Sequence, residues 1–469
     1  FKMFLSTRRY HYNYNFIVKS AKQNCENILH KKLDILFFKK KKNPSLRYLI
    51  FFIYIILSGK IFKADRAKIE YENIEIGRFV LSQTFCDYEC YVNKYKFYIV
   101  LLKNFFHSGT LLNTCKYYND KFNIDGVYVD HCGYLNGIIF SFFALNKSIV
   151  YTNNYPLGIY CVNYKKNKKN YLSKYENTLR ISIKRQLNKI QEKNSKQKLT
   201  NLVKKKDFIP YLVKANYKKL DIHNYKIFDY VVYCHSFTDG QLWHGYADFE
   251  NNLDWLEFTI NALLKRNKKI LIKPHPNFYN GSLGQSAKWD KIIFDKLFKR
   301  FSNNSNLFFL SKPTQNYPLL KKLNKNCVLL SKYGTAILEG AYMNFKTICT
   351  CHNFFDKKFR ISNMWKDKTK YLRLLKTDVS HLKKPNRNDL IKLSYALFYY
   401  YNSEYHENFY DNIIRKSLKL NKDNYQKQFS TIGRKPIGNS KLNKFKHSTK
   451  FIEKNIINKI SRTIFEVTK

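Results

Sequence analysis

Two segments of this chain each run from a short apolar stretch directly into polar turn residues, and together they restrict the fold more than any other feature. Lys269-Ile270-Leu271-Ile272-Lys273 leads into Pro274-His275-Pro276-Asn277. Cys327-Val328-Leu329-Leu330 leads into Ser331-Lys332-Tyr333-Gly334-Thr335, after which Ala336-Ile337-Leu338-Glu339-Gly340-Ala341 has the texture of a helix. Short apolar runs bounded by turn residues fit buried parallel strands, and open α/β sheets take ligands at the carboxyl edge of such strands. The first segment brings an imidazole to that edge. The second leaves backbone N–H groups and a hydroxyl at a helix N-terminus, where the macrodipole favours phosphate. A nucleotide-sugar site is the leading expectation.

The same alternation continues on both sides. Apolar runs at Tyr98–Leu102, Gly126–Val129 and Ser148–Tyr151 follow the opening Gly77-Arg78-Phe79-Val80-Leu81, with helical lengths between them. Further strand candidates are Tyr230–Cys234, Lys269–Lys273, Leu307–Leu310, Cys327–Leu330 and Lys346–Thr350. In the helical segment Asp254–Arg266, residues Trp255, Phe258, Ile260, Leu263 and Leu264 fall near one face. Strands alternating with helices predict parallel, doubly wound sheets. The expected layout is a basic leader with a short apolar helix over 1–70 and an N-terminal Rossmann-like domain with a Lys-rich linker over 71–215. A C-terminal Rossmann-like domain over 216–375 and a helical, basic region over 376–469 complete it. The segment 163–206 reads as exposed helix and linker.

With 469 residues the chain is long enough for two such cores, and 44% hydrophobic and 17% aromatic residues exclude a disordered chain. The formal net charge of +51 raises nucleic acid as a partner. The Lys and Arg residues are spread along the whole chain with no nucleic-acid module, so that reading is disfavoured. An anionic polysaccharide or membrane surface satisfies the same charge. The ten cysteines contain no CxxC pair and read as free thiols of a reducing cytoplasm, without a metal site. No apolar core followed by a cleavage site marks a signal peptide. The apolar run from Tyr48 to Leu57 follows Lys39-Lys40-Lys41-Lys42 and is about half of what a bilayer span needs. It reads first as a buried helix and second as a segment docking on an anionic leaflet. The expected location is the cytoplasm, with the inner face of the membrane as the place of peripheral contact.

Lys273-Pro274-His275-Pro276 after a strand and Ser331 to Ala341 resemble the capsule polysaccharide biosynthesis family, which includes transferases using CMP-activated 3-deoxy-octulosonic acid. The similarity in texture continues through Asp130-His131-Cys132-Gly133-Tyr134-Leu135-Asn136-Gly137 and covers about residues 74–375. The resemblance implies an α/β fold of GT-B type, with two Rossmann-like domains facing across a cleft and basic helical N- and C-terminal extensions. It implies a metal-independent glycosyltransferase whose donor nucleotide sits mainly on the C-terminal domain. The histidine of the His-Pro motif, carried onto His275 and Pro276, would contact the donor phosphate. The turn at Ser331, Gly334 and Thr335 would hold phosphate or the donor carboxylate. No cofactor is implied beyond a nucleotide-sugar co-substrate, and the acceptor would be an anionic polysaccharide or lipid-linked primer. A sugar-nucleotide epimerase, a polyol-phosphate transferase or a non-catalytic synthesis or export-coupling protein would use the same fold.

Read by themselves, the residues leave alternatives. His275 is fixed between two prolines beside Lys273, which suits a ligand contact or a bond to a loop carbonyl. Ser331, Gly334 and Thr335 suit an anion site or an ordinary N-cap. Glu339, one turn along, suits a ribose hydroxyl or a neighbouring helix. Glycosyl transfer needs a group to take the acceptor's proton. Asp239 and His235, after the strand at Tyr230, are the first candidates, with a turn role for Asp239 beside Gly240 equally weighted. Asp130 is the second candidate base, and His131, Tyr134 and Asn136 stand beside it on the acceptor side.

Overall fold

A computed structural model describes residues 2–5, 34–37, 42–87, 89–122, 126–130, 133–146, 149–153, 159–162, 186–204, 225–242, 245–276, 278, 285–310, 314–351 and 359–395. The elements run in chain order as β1 (Lys2–Leu5), β2 (Asp34–Phe37), α1 (Leu46–Leu57), α2 (Ile76–Thr84), α3 (Lys94–Lys121), β3 (Gly126–Asp130), α4 (Asn136–Leu145), β4 (Ile149–Asn153), β5 (Ile159–Val162) and α5 (Lys189–Lys204). The second series is β6 (Tyr230–Tyr233), α6 (Asn252–Leu264), β7 (Ile270–Lys273), α7 (Gln285–Phe301), β8 (Leu307–Phe309), α8 (Asn316–Lys322), β9 (Val328–Ser331), α9 (Thr335–Tyr342), β10 (Thr347–Thr350), β11 (Asn363–Trp365), α10 (Lys368–Lys376) and α11 (Arg387–Tyr395). The chain is therefore α/β, with two sheets.

The six-stranded sheet has the order β11-β10-β9-β6-β7-β8, and every pairing in it is parallel. Counted from its own first strand this is 3-2-1-4-5-6, the doubly wound order whose direction reverses between β6 and β9. Its strands β6, β7, β9 and β10 are buried at every position, as parallel strands covered on both faces must be. Tyr230, Val232, Ile270, Ile272, Val328 and Leu330 face the layer containing Trp255, Ile260, Phe294 and Tyr371. Val231, Tyr233, Leu271 and Leu329 face the opposite layer, with Leu319, Leu320 and Phe345. The expected strands of this half all form, and β11 is added to them.

The five-stranded sheet has the order β2-β1-β3-β4-β5, parallel except for the antiparallel β4–β5 pair. Two of its strands, β1 and β2, lie in the segment read as a basic leader, so a boundary at residue 70 divides this sheet from part of itself. Runs of four residues (KMFL and DILF) carry too little periodicity to stand out. The strands expected at 126–129 and 148–151 form as β3 and β4. Tyr98–Leu102 is instead the interior of the 28-residue helix α3, where Phe97, Leu101, Phe105 and Leu112 are buried at helical spacing. Gly77–Leu81 is helical as well, within α2. A window of five apolar residues cannot separate period 2 from period 3.6; the longer stripe does.

Of the segment 163–206, read as exposed helix and linker, residues 186–204 are described, and they contain a helix with one buried face. Helix α5 buries Ser195, Leu199, Leu202 and Val203 and packs on α11, with Ser394 Oγ donating to Ser195 O at 3.1 Å and Gln191 Nε2 to Tyr395 OH at 3.0 Å. The spacing of those four residues is that of a helix with one apolar stripe, which needs a partner. Among the described residues no cysteine is in a disulfide, and no helix is long and apolar enough to cross a membrane.

Candidate functional site

The reversal point between β6 and β9 gathers the polar residues that leave the carboxyl ends of these strands. His235 follows β6, and its Nε2 lies 3.0 Å from Ser331 Oγ at the end of β9. Tyr333 N donates to the same nitrogen at 3.3 Å, and its ring lies 4.2 Å from the imidazole, centroid to centroid. Ser331 Oγ also lies 2.7 Å from Tyr333 O, and its one proton serves either that carbonyl or the imidazole nitrogen. Ser331 therefore shapes the turn rather than capping the helix. The residue at the N-cap of α9 is Gly334, which has no side chain to bond the first-turn N–H groups. Its φ of 109° is a conformation that suits glycine, and a Cβ there would lie 3.3 Å from His235 Cε1. The N-terminal end of α9 thus opens at the sheet's reversal point with its dipole uncapped by a side chain, and Thr335 begins the helix.

One turn along, Glu339 is buried, and its Oε2 has no hydrogen-bond partner among the described residues. The hydroxyl of Tyr233 on β6 is in the same condition. Burial pushes that phenol well up, and the charge of Glu339 adds to the rise. Lys273 Nζ, from β7, stands 5.7 Å above the Tyr233 ring. Gly340 lets α9 lie this close: a Cβ there would meet Leu329 Cδ1 of β9 at 2.5 Å. Buried polar atoms of native proteins are almost always bonded. The Glu339 carboxylate oxygen and the Tyr233 hydroxyl are thus polar atoms left without a hydrogen bond among the described residues.

His275 follows Lys273 at the end of β7, beside β6. Burial, with Lys273 as the second cause, pushes its imidazole down to about 4, so it is neutral near pH 7. Its ring centroid is 6.1 Å from that of Phe278, and Pro276 continues the turn. The strand-edge position expected for it is present.

Asp239 lies in the loop after β6. The hydroxyl of Tyr134, from the turn that precedes α4 in the first half of the chain, donates to its Oδ1, and Gly240 N donates to Tyr134 OH at 3.0 Å. Tyr134 and Asp239, expected on opposite sides of a site, are thus bonded to each other. Asn136 opens α4. Asp130 ends β3; its side chain and all of His131 fall outside the described residues.

No protein-family model and no curated protein matches this chain. Among solved structures it is similar to KpsC, a beta Kdo 2,4 transferase of Thermosulfurimonas dismutans, at 10% identity and a TM-score of 0.37, over 58% of this chain and 79% of that one. It is also similar to UDP-GlcNAc 2-epimerase from Methanocaldococcus jannaschii in complex with UDP-GlcNAc and UDP, at 12% identity and a TM-score of 0.26, covering 84% of this chain and 97% of that one. The enzyme of that name from Neisseria meningitidis bound to UDP-GlcNAc gives 12% and 0.28, covering 89% of this chain and 99% of the other. At such identities and scores these similarities add nothing to the geometry.

Several residues that build the site escaped the sequence reading. The carboxylate of Asp290, on α7, is buried and accepts from Ser236 Oγ at 2.5 Å, Phe237 N at 2.8 Å, and Thr238 N and Oγ1 at 2.9 and 3.0 Å. Burial pushes its carboxyl up to about 6, against the pull of those donors. The available signal was an acid standing in line with Ile293, Phe294 and Leu297, the buried stripe of its helix. Lys332 points into a second cage, donating to Asn252 Oδ1 at 3.1 Å and Gln241 O at 3.3 Å, and burial pushes its amine down to about 7. Gln241 and Asn252 also bond the carbonyl of Ser236, at 3.0 and 2.8 Å. These buried groups fix the loop from His235 to Leu242 to both α7 and β9.

Proposed function

We propose that this chain is a GT-B glycosyltransferase that moves a sugar from a nucleotide-activated donor to a surface polysaccharide or its lipid-linked primer. The reading is supported above all by one observation: the N-terminus of α9, uncapped by a side chain, opens at the reversal point of a 3-2-1-4-5-6 parallel sheet, and Glu339 of the same helix keeps a buried Oε2 without a hydrogen-bond partner among the described residues. Phosphate would lie against the first-turn N–H groups of α9 and His275. Glu339 would take a ribose hydroxyl. The acceptor oxygen would bond to the anomeric carbon as the bond from that carbon to the phosphate oxygen breaks, and the departing negative charge would be met by the helix dipole. The acceptor's proton would pass to Asp239. His235, whose Nε2 is engaged by Ser331 and Tyr333, would keep the phosphate turn in shape.

Calorimetry and thermal shift against CMP, CDP, UDP and GDP test the site. Binding of one nucleotide is expected, at least about tenfold weaker in His275→Ala and in Gly334→Ala, whose Cβ would require a disfavoured backbone and crowd His235. Failure of all four nucleotides to bind would remove the reading. With the bound nucleotide identified, sugar release from the matching donor should stop in Asp239→Asn while nucleotide affinity stays.

A second measurement uses the titration of His275. A phosphate placed against its imidazole favours the cation and raises its pKa from about 4. Binding near pH 5.5 should therefore take up protons, seen as a dependence of the binding heat on the buffer's ionisation enthalpy, and His275→Gln should abolish that dependence. Equal proton uptake in the variant would place the phosphate elsewhere.

A further inference from the structure

Helix α1 is apolar on nearly every face, with Arg47 its one charged residue. Tyr48 and Ile55 are buried, whereas Leu46, Ile50, Ile53, Tyr54 and Leu57 form an opposite stripe exposed at 74%, 61%, 53%, 52% and 82%. The spacing of 4, 3, 1 and 3 residues puts all five on one face. Helix α3, packed beside it, carries a second exposed stripe of Tyr95, Ile99 and Phe106, and the two helices meet where Phe52 stands edge-on to Phe106 at 6.4 Å. So many exposed large apolar side chains on adjoining helices mark an interaction surface.

Charge selects the partner. Helix α1 contains no carboxylate, and α3 contains only Asp120, in its last turn. Lys60, whose Nζ lies 4.8 Å above the Tyr54 ring, and Lys63, Lys94 and Lys103 are exposed, and none is in an ion pair among the described residues. Arg47 is answered by Glu72, and Lys96 by Asp87 and Glu89. A second copy of this chain is a poor occupant, because two surfaces rimmed by lysine on chains of net charge +51 repel. We infer that this face docks on an anionic phospholipid surface, with α1 lying in the plane of the interface, its apolar stripe in the headgroup and acyl boundary and the lysines among the phosphates. At 12 residues α1 is too short to span a bilayer. The inference is independent of the nucleotide site.

Co-sedimentation of the full chain with vesicles of phosphatidylcholine alone, and of phosphatidylcholine with phosphatidylglycerol, tests it. Binding to the anionic vesicles is expected, weakened by salt, and at least about tenfold weaker in the double variant Ile53→Glu, Leu57→Glu. These side chains are solvent-exposed, so the thermal midpoint should not move. Lys60→Glu with Lys63→Glu should weaken binding as well. The inference is overturned if the wild type ignores anionic vesicles, if it binds neutral ones equally well, or if the Glu variant binds as the wild type does. Sedimentation velocity showing a dimer that the Glu variant dissolves would assign the face to a second copy instead.

Discussion

Asp290→Ala should destabilise the protein by about 3–5 kcal/mol in urea unfolding and abolish nucleotide binding with it. The carboxylate collects four donors from three consecutive residues, and two of them are backbone N–H groups that a loop carries wherever it lies. Truncation leaves these donors buried without an acceptor, which costs about 1–3 kcal/mol each before relaxation and water entry. Asp290→Asn keeps one oxygen and should lose less. The effect reaches the site because the clamped residues 236–238 connect His235 to Asp239. The pH profile gives a separate check. The folded carboxyl titrates near 6, above its ordinary value of 3.8, so the folded state binds more protons between those limits. Stability therefore falls as pH rises from about 4 to about 6, by up to about 3 kcal/mol, and levels off above that. The Asn variant should flatten this part of the profile. A loss below about 1 kcal/mol in Asp290→Ala would mean that the loop holds its shape by other contacts, such as those from Gln241 and Asn252.

The second large effect has opposite signs for stability and for binding. Glu339→Met should raise stability by about 1–3 kcal/mol while weakening nucleotide affinity at least about tenfold. The first expectation follows from the buried Oε2, which has no hydrogen-bond partner among the described residues; replacing an unsatisfied buried polar group with an apolar one of similar volume is favourable. The second follows if that oxygen is reserved for the ligand, because stability sacrificed at a site is the usual sign of function. The two readouts separate the explanations. A destabilised variant would show that Glu339 has a structural partner, and a stabilised variant with intact affinity would show that the ligand does not use it.

The four strands β6, β7, β9 and β10, the turn at Ser331–Thr335 and the position of His275 were legible because each is local. An apolar run of four residues ending in turn chemistry specifies a strand and its edge wherever the chain folds. The network behind the site was not legible. Asp290 meets residues 52 to 54 positions away, Tyr134 meets Asp239 across 105, and Lys332 meets Asn252 across 80. Nothing in the composition of either partner announces such pairs.

The sequence by itself determined, to within about a residue at either end, where five of the six strands of the second sheet lie, and that polar residues stand at their carboxyl edge, since burial on two faces and turn preference act over a few residues. Only the tertiary structure decided that β6 and β9 are neighbours, that Gly334 rather than Ser331 occupies the N-cap, that Lys2–Leu5 and Asp34–Phe37 complete the first sheet, and that α1 turns an apolar stripe outward. Strand order and helix orientation are set by the summed packing of the layers, to which each residue contributes a small part and which no local pattern records.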